Sequence, residues 1–147
     1  AAVEILEKYG VLSEIWSATS YGELRREGLD CERENRLNPS ADRKQPYVEE
    51  MLGDGKYPTI AVSDNQIAVP DMIRQWVGGD YVVLGTDGFG RSDTRPNLRK
   101  FFEIDSQSIT LAALSSLVRN GKITADVFDK AVSDLGVSTD RNDITAL

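Results

Sequence analysis

At 147 residues, 40% hydrophobic and 28% charged, with mean hydropathy −0.34, the chain has the size and balance of one globular domain. Seventeen basic against twenty-four acidic residues give a net charge of −7, which argues against nucleic-acid binding through a basic footprint. One cysteine excludes an internal disulfide, and the absence of histidine removes the commonest acid–base and metal-ligating side chain; carboxylates or lysines can still catalyse, but a self-contained active site is disfavoured and no catalytic or metal residue is singled out.

The predicted elements alternate. Ala1 to Tyr9 reads as a helix with Val3, Ile5, Leu6 and Tyr9 on its apolar face and Gly10 ending it. Val11 to Ala18 is a strand candidate. Ser20 followed by Glu23 has the capping-box spacing and opens a helical stretch toward Leu37, with a break expected near Gly28. Pro39 to Pro46 is a polar loop, Tyr47 to Leu52 a short helix stopped at Gly53, and Tyr57 to Ser63 the second strand. Val69 to Val77 is expected as a helix with Pro70 in its first turn, and Tyr81 to Leu84 as the third strand.

A glycine-punctuated loop follows, from Gly85 to Ser92. Asp93 or Thr94 can cap the next helix, Pro96 suits its first turn, and Arg91 and Arg95 flank its start. Asp105 caps a long helix through Val118, closed by Asn120 and Gly121; Thr124 caps the last helix, to about Leu135, with Gly136 after it. The tail from Ser138 to Leu147 is polar and expected to be loosely held. No apolar run approaches the ~20 residues of a membrane span, and no signal-peptide pattern opens the sequence, so a cytoplasmic, membrane-free setting is expected.

Strands separated by helices imply an α/β fold: three layers, a mostly parallel sheet with helices on both faces, over residues 1–137, followed by the tail 138–147. Three strands are few for such a sheet, and the first helix starts at Ala1 with nothing to cap it. The expectation is a domain truncated at its N-terminal side and lacking its first strand.

The glycine loop has three readings. It is a tight connection with Phe89 packed inward and Asp93 capping; or an interface to other domains or a second subunit; or an anion site in which Arg91 grips a carboxylate or phosphate. The interface reading leads, with Asp87, Phe89, Arg91, Ser92 and Asp93 as its candidate residues. The glycine spacing is not that of a dinucleotide fingerprint. Cys31 has no histidine to activate it, and its acidic neighbours disfavour a thiolate, so it reads as a packing residue. Glu32, Arg33, Glu34 and Arg36 read as a solvated helix face carrying ion pairs.

The run Gly85-Thr86-Asp87-Gly88-Phe89-Gly90-Arg91-Ser92-Asp93-Thr94-Arg95, with Asn97-Leu98-Arg99, closely resembles the C-terminal domain of homodimeric pyruvate dehydrogenase. That family is the thiamine-diphosphate-dependent first component of the pyruvate dehydrogenase complex. The resemblance extends to Trp16-Ser17-Ala18-Thr19-Ser20-Tyr21 with Glu23-Leu24, to Asp30-Cys31-Glu32-Arg33 with Asn35, and to the carboxy-terminal helices. Glu34, Asn38 and Phe101 depart from it, where relatives commonly carry tryptophan, histidine and histidine.

The resemblance implies a transketolase C-terminal-like fold. It also implies a parent enzyme that decarboxylates pyruvate on thiamine diphosphate and Mg²⁺ and passes the acetyl unit to the lipoyl group of the acetyltransferase component. The cofactor residues would lie in other domains, so none is expected here, and this part would be structural and dimer-supporting. Its partners would be the remaining domains, a second identical subunit and the acetyltransferase. Gly53-Asp54-Gly55 looks like the start of the thiamine diphosphate motif, but no asparagine follows at the required ~25 residues. The triplet is read as a turn. The alternative to the family reading is a free-standing acidic α/β protein-binding module.

Overall fold

Two four-residue strands, β1 (Thr59–Val62) and β2 (Tyr81–Leu84), pair in parallel in the computed structural model, which describes residues 1–88 and 90–138. The register sets Thr59 against Tyr81, Ile60 against Val82, Ala61 against Val83 and Val62 against Leu84. Because successive strand residues face opposite sides, Ala61, Tyr81 and Val83 turn to one face and Ile60 to the other.

Each face has its own core. On one side Ala61 and Tyr81 pack with Val48, Ile73 and Trp76, and Tyr21 and Leu24 lie against them. The helices supplying this layer are α2 (Tyr21–Leu37), α3 (Tyr47–Leu52) and α4 (Ala68–Asp71), with a 3₁₀ turn at Arg74–Trp76. On the other side Ile60 meets Leu6, Ala113, Leu114 and Ala131. These come from α1 (Ala2–Lys8), α6 (Ser106–Arg119) and α7 (Ala125–Leu135), while α5 (Arg95–Phe101) follows the glycine loop. The three-layer α/β arrangement is therefore present, around a small parallel sheet.

Local signals account for several helix ends. Ser20 accepts from the Glu23 amide at 3.2 Å and Asp105 from the Ser108 amide at 2.8 Å, each satisfying an N–H that a helix start leaves without a partner. Thr124 holds the cap position of α7 without a side-chain bond, and Gly136 closes that helix in the left-handed conformation.

Three expectations need correction. Val11 to Ala18 is not a strand: the segment runs between α1 and α2 without ladder partners, and Leu12 through Thr19 are exposed. A strand pattern yields a strand only where a neighbour supplies the ladder. The break expected near Gly28 is absent; α2 is continuous, because Gly28 lies under the Trp76 ring, where a Cβ would come within 2.5 Å of the indole. Packing outweighs the roughly 1 kcal/mol helix cost of glycine. The helix expected over Val69 to Val77 is split into α4 and the 3₁₀ turn, with three-residue hydrogen bonds such as Trp76 N–H to Ile73 O. The tail beyond Ser138 lies outside the described residues.

Candidate functional site

The loop after β2 is bound to the loop after β1 at the carboxyl ends of the parallel strands, where open α/β sheets place their working loops. The Thr86 amide donates to Asn65 O at 2.9 Å, and its hydroxyl donates to Asp64 O at 2.9 Å. Asp87 Oδ1 accepts from the Ile67 amide at 2.8 Å, so its carboxylate anchors the turn that opens α4. Gly85 is required by closeness alone: a Cβ there would lie 2.8 Å from Asn65 O and 2.9 Å from Ile67 N.

At its far end the loop is anchored by Asp93. One carboxylate oxygen accepts from the Thr94 amide at 2.7 Å and from the Asn97 side chain at 2.8 Å. The hydrogen bond from Asn97, then that from Thr94, holds this carboxyl below the usual aspartate range, helped by nearby Arg91. Thr94 itself is the α5 cap residue but makes no side-chain cap bond. Arg91 is exposed, and its guanidinium lies over the Phe101 ring, 4.5 Å from the centroid. Ser92 is exposed, and Phe89 lies outside the described residues. Asp87 and Asp93 thus face different neighbours, at opposite ends of the loop.

The Gly53–Gly55 triplet, which looks like the start of a thiamine diphosphate motif, is a turn. Asp54 Oδ1 accepts from the Lys56 amide at 3.1 Å, closing a local turn. Gly55, at φ +61°, and Gly79, at φ +66°, press backbone on backbone, with a Cβ on Gly55 reaching 2.7 Å from Gly79 N. The Gly53–Gly55 triplet is shaped for this contact. No cluster of three or more histidine, cysteine or acidic side chains able to hold a metal occurs among the described residues.

Cys31 donates from Sγ to Glu27 Oε1 at 3.2 Å. Burial, then that hydrogen bond, pushes its thiol pKa upward. The charged run beside it is less solvated than its sequence suggests. Glu34 pairs with Lys44, but Glu32 is half-buried and accepts the Trp76 indole N–H at 2.9 Å.

Sequence reading also passed over two features. Asp80, just before β2, gathers Ser116, Arg119 at 2.8 Å and Asn120 at 3.5 Å onto one carboxylate oxygen, tying the sheet to the end of α6. The other is the segment after α1, where Leu12 is 87% exposed, Ile15 75% and Trp16 47%. Isolated exposed apolar residues are ordinary; three within five positions of a segment without helix or strand mark a surface suited to a partner. The strand-like apolar pattern was its only sequence signal.

Residues 1–105 match the family described as the transketolase-like TK C-terminal domain. The chain belongs to that family. Among its relatives the domain is 45% identical over 142 residues to the pyruvate dehydrogenase E1 component of Pseudomonas aeruginosa, an alignment covering 96% of this chain and 16% of the relative. It is 46% identical over 131 residues to that of Mycolicibacterium smegmatis, covering 89% of this chain and 14% of the relative. For the Escherichia coli protein the identity is 42% over 142 residues, covering 95% and 16%. This transketolase-like domain therefore spans about 16% or less of the relatives' length, and similarity to them continues past the family match into the carboxy-terminal helices.

Proposed function

We propose that this domain is a structural part of a pyruvate dehydrogenase first component. The whole enzyme would decarboxylate pyruvate on thiamine diphosphate and Mg²⁺, held by domains outside this chain, and transfer the acetyl unit to the lipoyl group of the acetyltransferase component. Residues 1–137 would form the domain and 138–147 its tail, in a cytoplasmic homodimer. The loop residues Asp87, Phe89, Arg91, Ser92 and Asp93 would meet other domains or the second subunit. No described helix is long and apolar enough to cross a membrane.

The observation that carries the reading is the exposed segment bearing Leu12, Ile15 and Trp16, in a chain similar to a fraction of much longer enzymes. A free-standing acidic module gains nothing from three water-facing apolar side chains, whereas a domain seated on others buries them. Ile15→Asp combined with Trp16→Asp in the full-length protein tests the distinction. The unmodified protein should decarboxylate pyruvate when supplied with thiamine diphosphate and Mg²⁺. The double variant should lose activity at least tenfold, or unfold at lower temperature, because it places charge in a buried contact. A double variant with full activity and unchanged stability refutes the docking role, and a full-length protein without pyruvate decarboxylation refutes the enzyme assignment. Titration of the isolated chain with thiamine diphosphate and Mg²⁺ should give no saturable heat.

A further inference from the structure

In a chain of net charge −7, residues 91–100 carry Arg91, Arg95, Arg99 and Lys100 against the single acid Asp93. All four cations are exposed, and none forms a salt bridge with a described residue; what sets them apart is their clustering within ten positions. Asp93 is already engaged by Thr94 and Asn97.

The arrangement opposes the stability of α5. Arg95 opens a helix of seven residues, where the dipole favours negative charge, and Arg95 and Arg99 form a like-charged pair four positions apart. Asp93 at the head of the helix and the basic last turn offset only part of this. Arg91 is held differently. Stacked on Phe101, its planar guanidinium keeps its N–H edge available for a second partner, and it donates no hydrogen bond to a described residue.

We propose that Arg91, Arg95 and Arg99 dock an acidic surface on the remainder of the same polypeptide, a conclusion that rests on this domain being part of the longer enzyme. Guanidinium groups with free donors are matched by carboxylates in two-pronged geometry. Exposed arginine–carboxylate pairs are worth up to about 1 kcal/mol each, too little to hold separate molecules together. They suffice to seat a tethered domain, for which the effective concentration is of millimolar order. Most of the relatives' length lies outside this domain, which supplies the tether.

The test uses the full-length enzyme with Arg95→Lys and Arg99→Lys, which keep the charge and add amines that carbodiimide can join to a touching carboxylate. The expected product is a cross-link from position 95 or 99 to an acidic residue outside this domain, with no increase in mass on a denaturing gel. The Arg95→Gln, Arg99→Gln double variant should leave pyruvate decarboxylation measurable while speeding proteolytic release of the domain about tenfold at low salt, and much less at 1 M salt. A doubled mass would make the second subunit the occupant. Cross-links confined to this domain, or absent, would leave the cations to solvent. Either result overturns the proposal. Decarboxylation by the unmodified enzyme, measured in parallel, tells failure of this inference from failure of the enzyme assignment.

Discussion

The Trp76 indole N–H donates to Glu32 Oε1 at 2.9 Å, joining the 3₁₀ turn to the middle of α2 across 44 positions of sequence. Glu32 therefore serves as the acceptor for a buried tryptophan. Glu32→Gln retains an acceptor oxygen and should change stability little. Glu32→Ala strands the indole donor and should cost about 1–3 kcal/mol. Urea unfolding of the two variants compares them, and equal losses would show that the hydrogen bond is unimportant.

Gly28 stands under the same ring. Alanine is the better helix former by roughly 1 kcal/mol, so propensity alone predicts that Gly28→Ala stabilises α2. A Cβ 2.5 Å from the Trp76 ring reverses the sign, since the ring must move within a packed core. A net loss of about 1–3 kcal/mol is expected, with a changed tryptophan emission spectrum. Stabilisation would show that α2 shifts away at no cost.

Asp80 should make the protein sensitive to acid. Chiefly the Ser116 hydroxyl, then Arg119, holds its carboxyl below the ordinary aspartate value, against the opposing effect of burial. A depressed folded-state pKa means that the unfolded chain binds the proton first. The stabilisation is thus present above the unfolded value of about 3.9 and is lost as pH falls through the lower folded value. Asp80→Asn should flatten the loss of stability below about pH 5 relative to the unmodified protein. Parallel acid curves for the two would exclude this role.

Asp87→Ala should free the Ile67 amide, at a cost of about 1 kcal/mol, while Asp87→Asn retains the acceptor oxygen. Hydrogen exchange read at Ile67 and Thr86 should quicken only in the alanine variant. Unchanged exchange at Ile67 would mean that the two loops hold together without this side chain.

Cys31 should react slowly with iodoacetamide at neutral pH, because burial and Glu27 both raise its pKa. Cys31→Ser in the full-length enzyme should leave turnover nearly unchanged. A hundredfold fall with the fold intact would assign the thiol a chemical role.

The elements legible in sequence are those set by neighbours a few residues away. The Ser20 and Asp105 caps, the Gly136 stop and the β2 run follow from local chemistry, and the structure has them in those places. The errors arise where a distant partner decides. Trp76 keeps α2 unbroken at Gly28, and the want of a ladder neighbour leaves Val11 to Ala18 unpaired. At the candidate loop the same division holds. Asp93 at the head of α5 was readable from spacing, but the Asp87 bond to Ile67 spans 20 residues, and nothing near either residue announces it.

Ile60 and Ala61 are consecutive in β1 yet belong to opposite cores. Sliding β1 by one residue would drive an isoleucine into the space shaped for an alanine and leave an alanine where the isoleucine belonged. One side would be crowded and the other hollow, so neither core can tolerate the slip alone. The strand acts as a key cut on both edges: whatever loosens the layer holding Trp76 also unseats the layer holding Leu114, and the two halves of the domain should melt in a single transition.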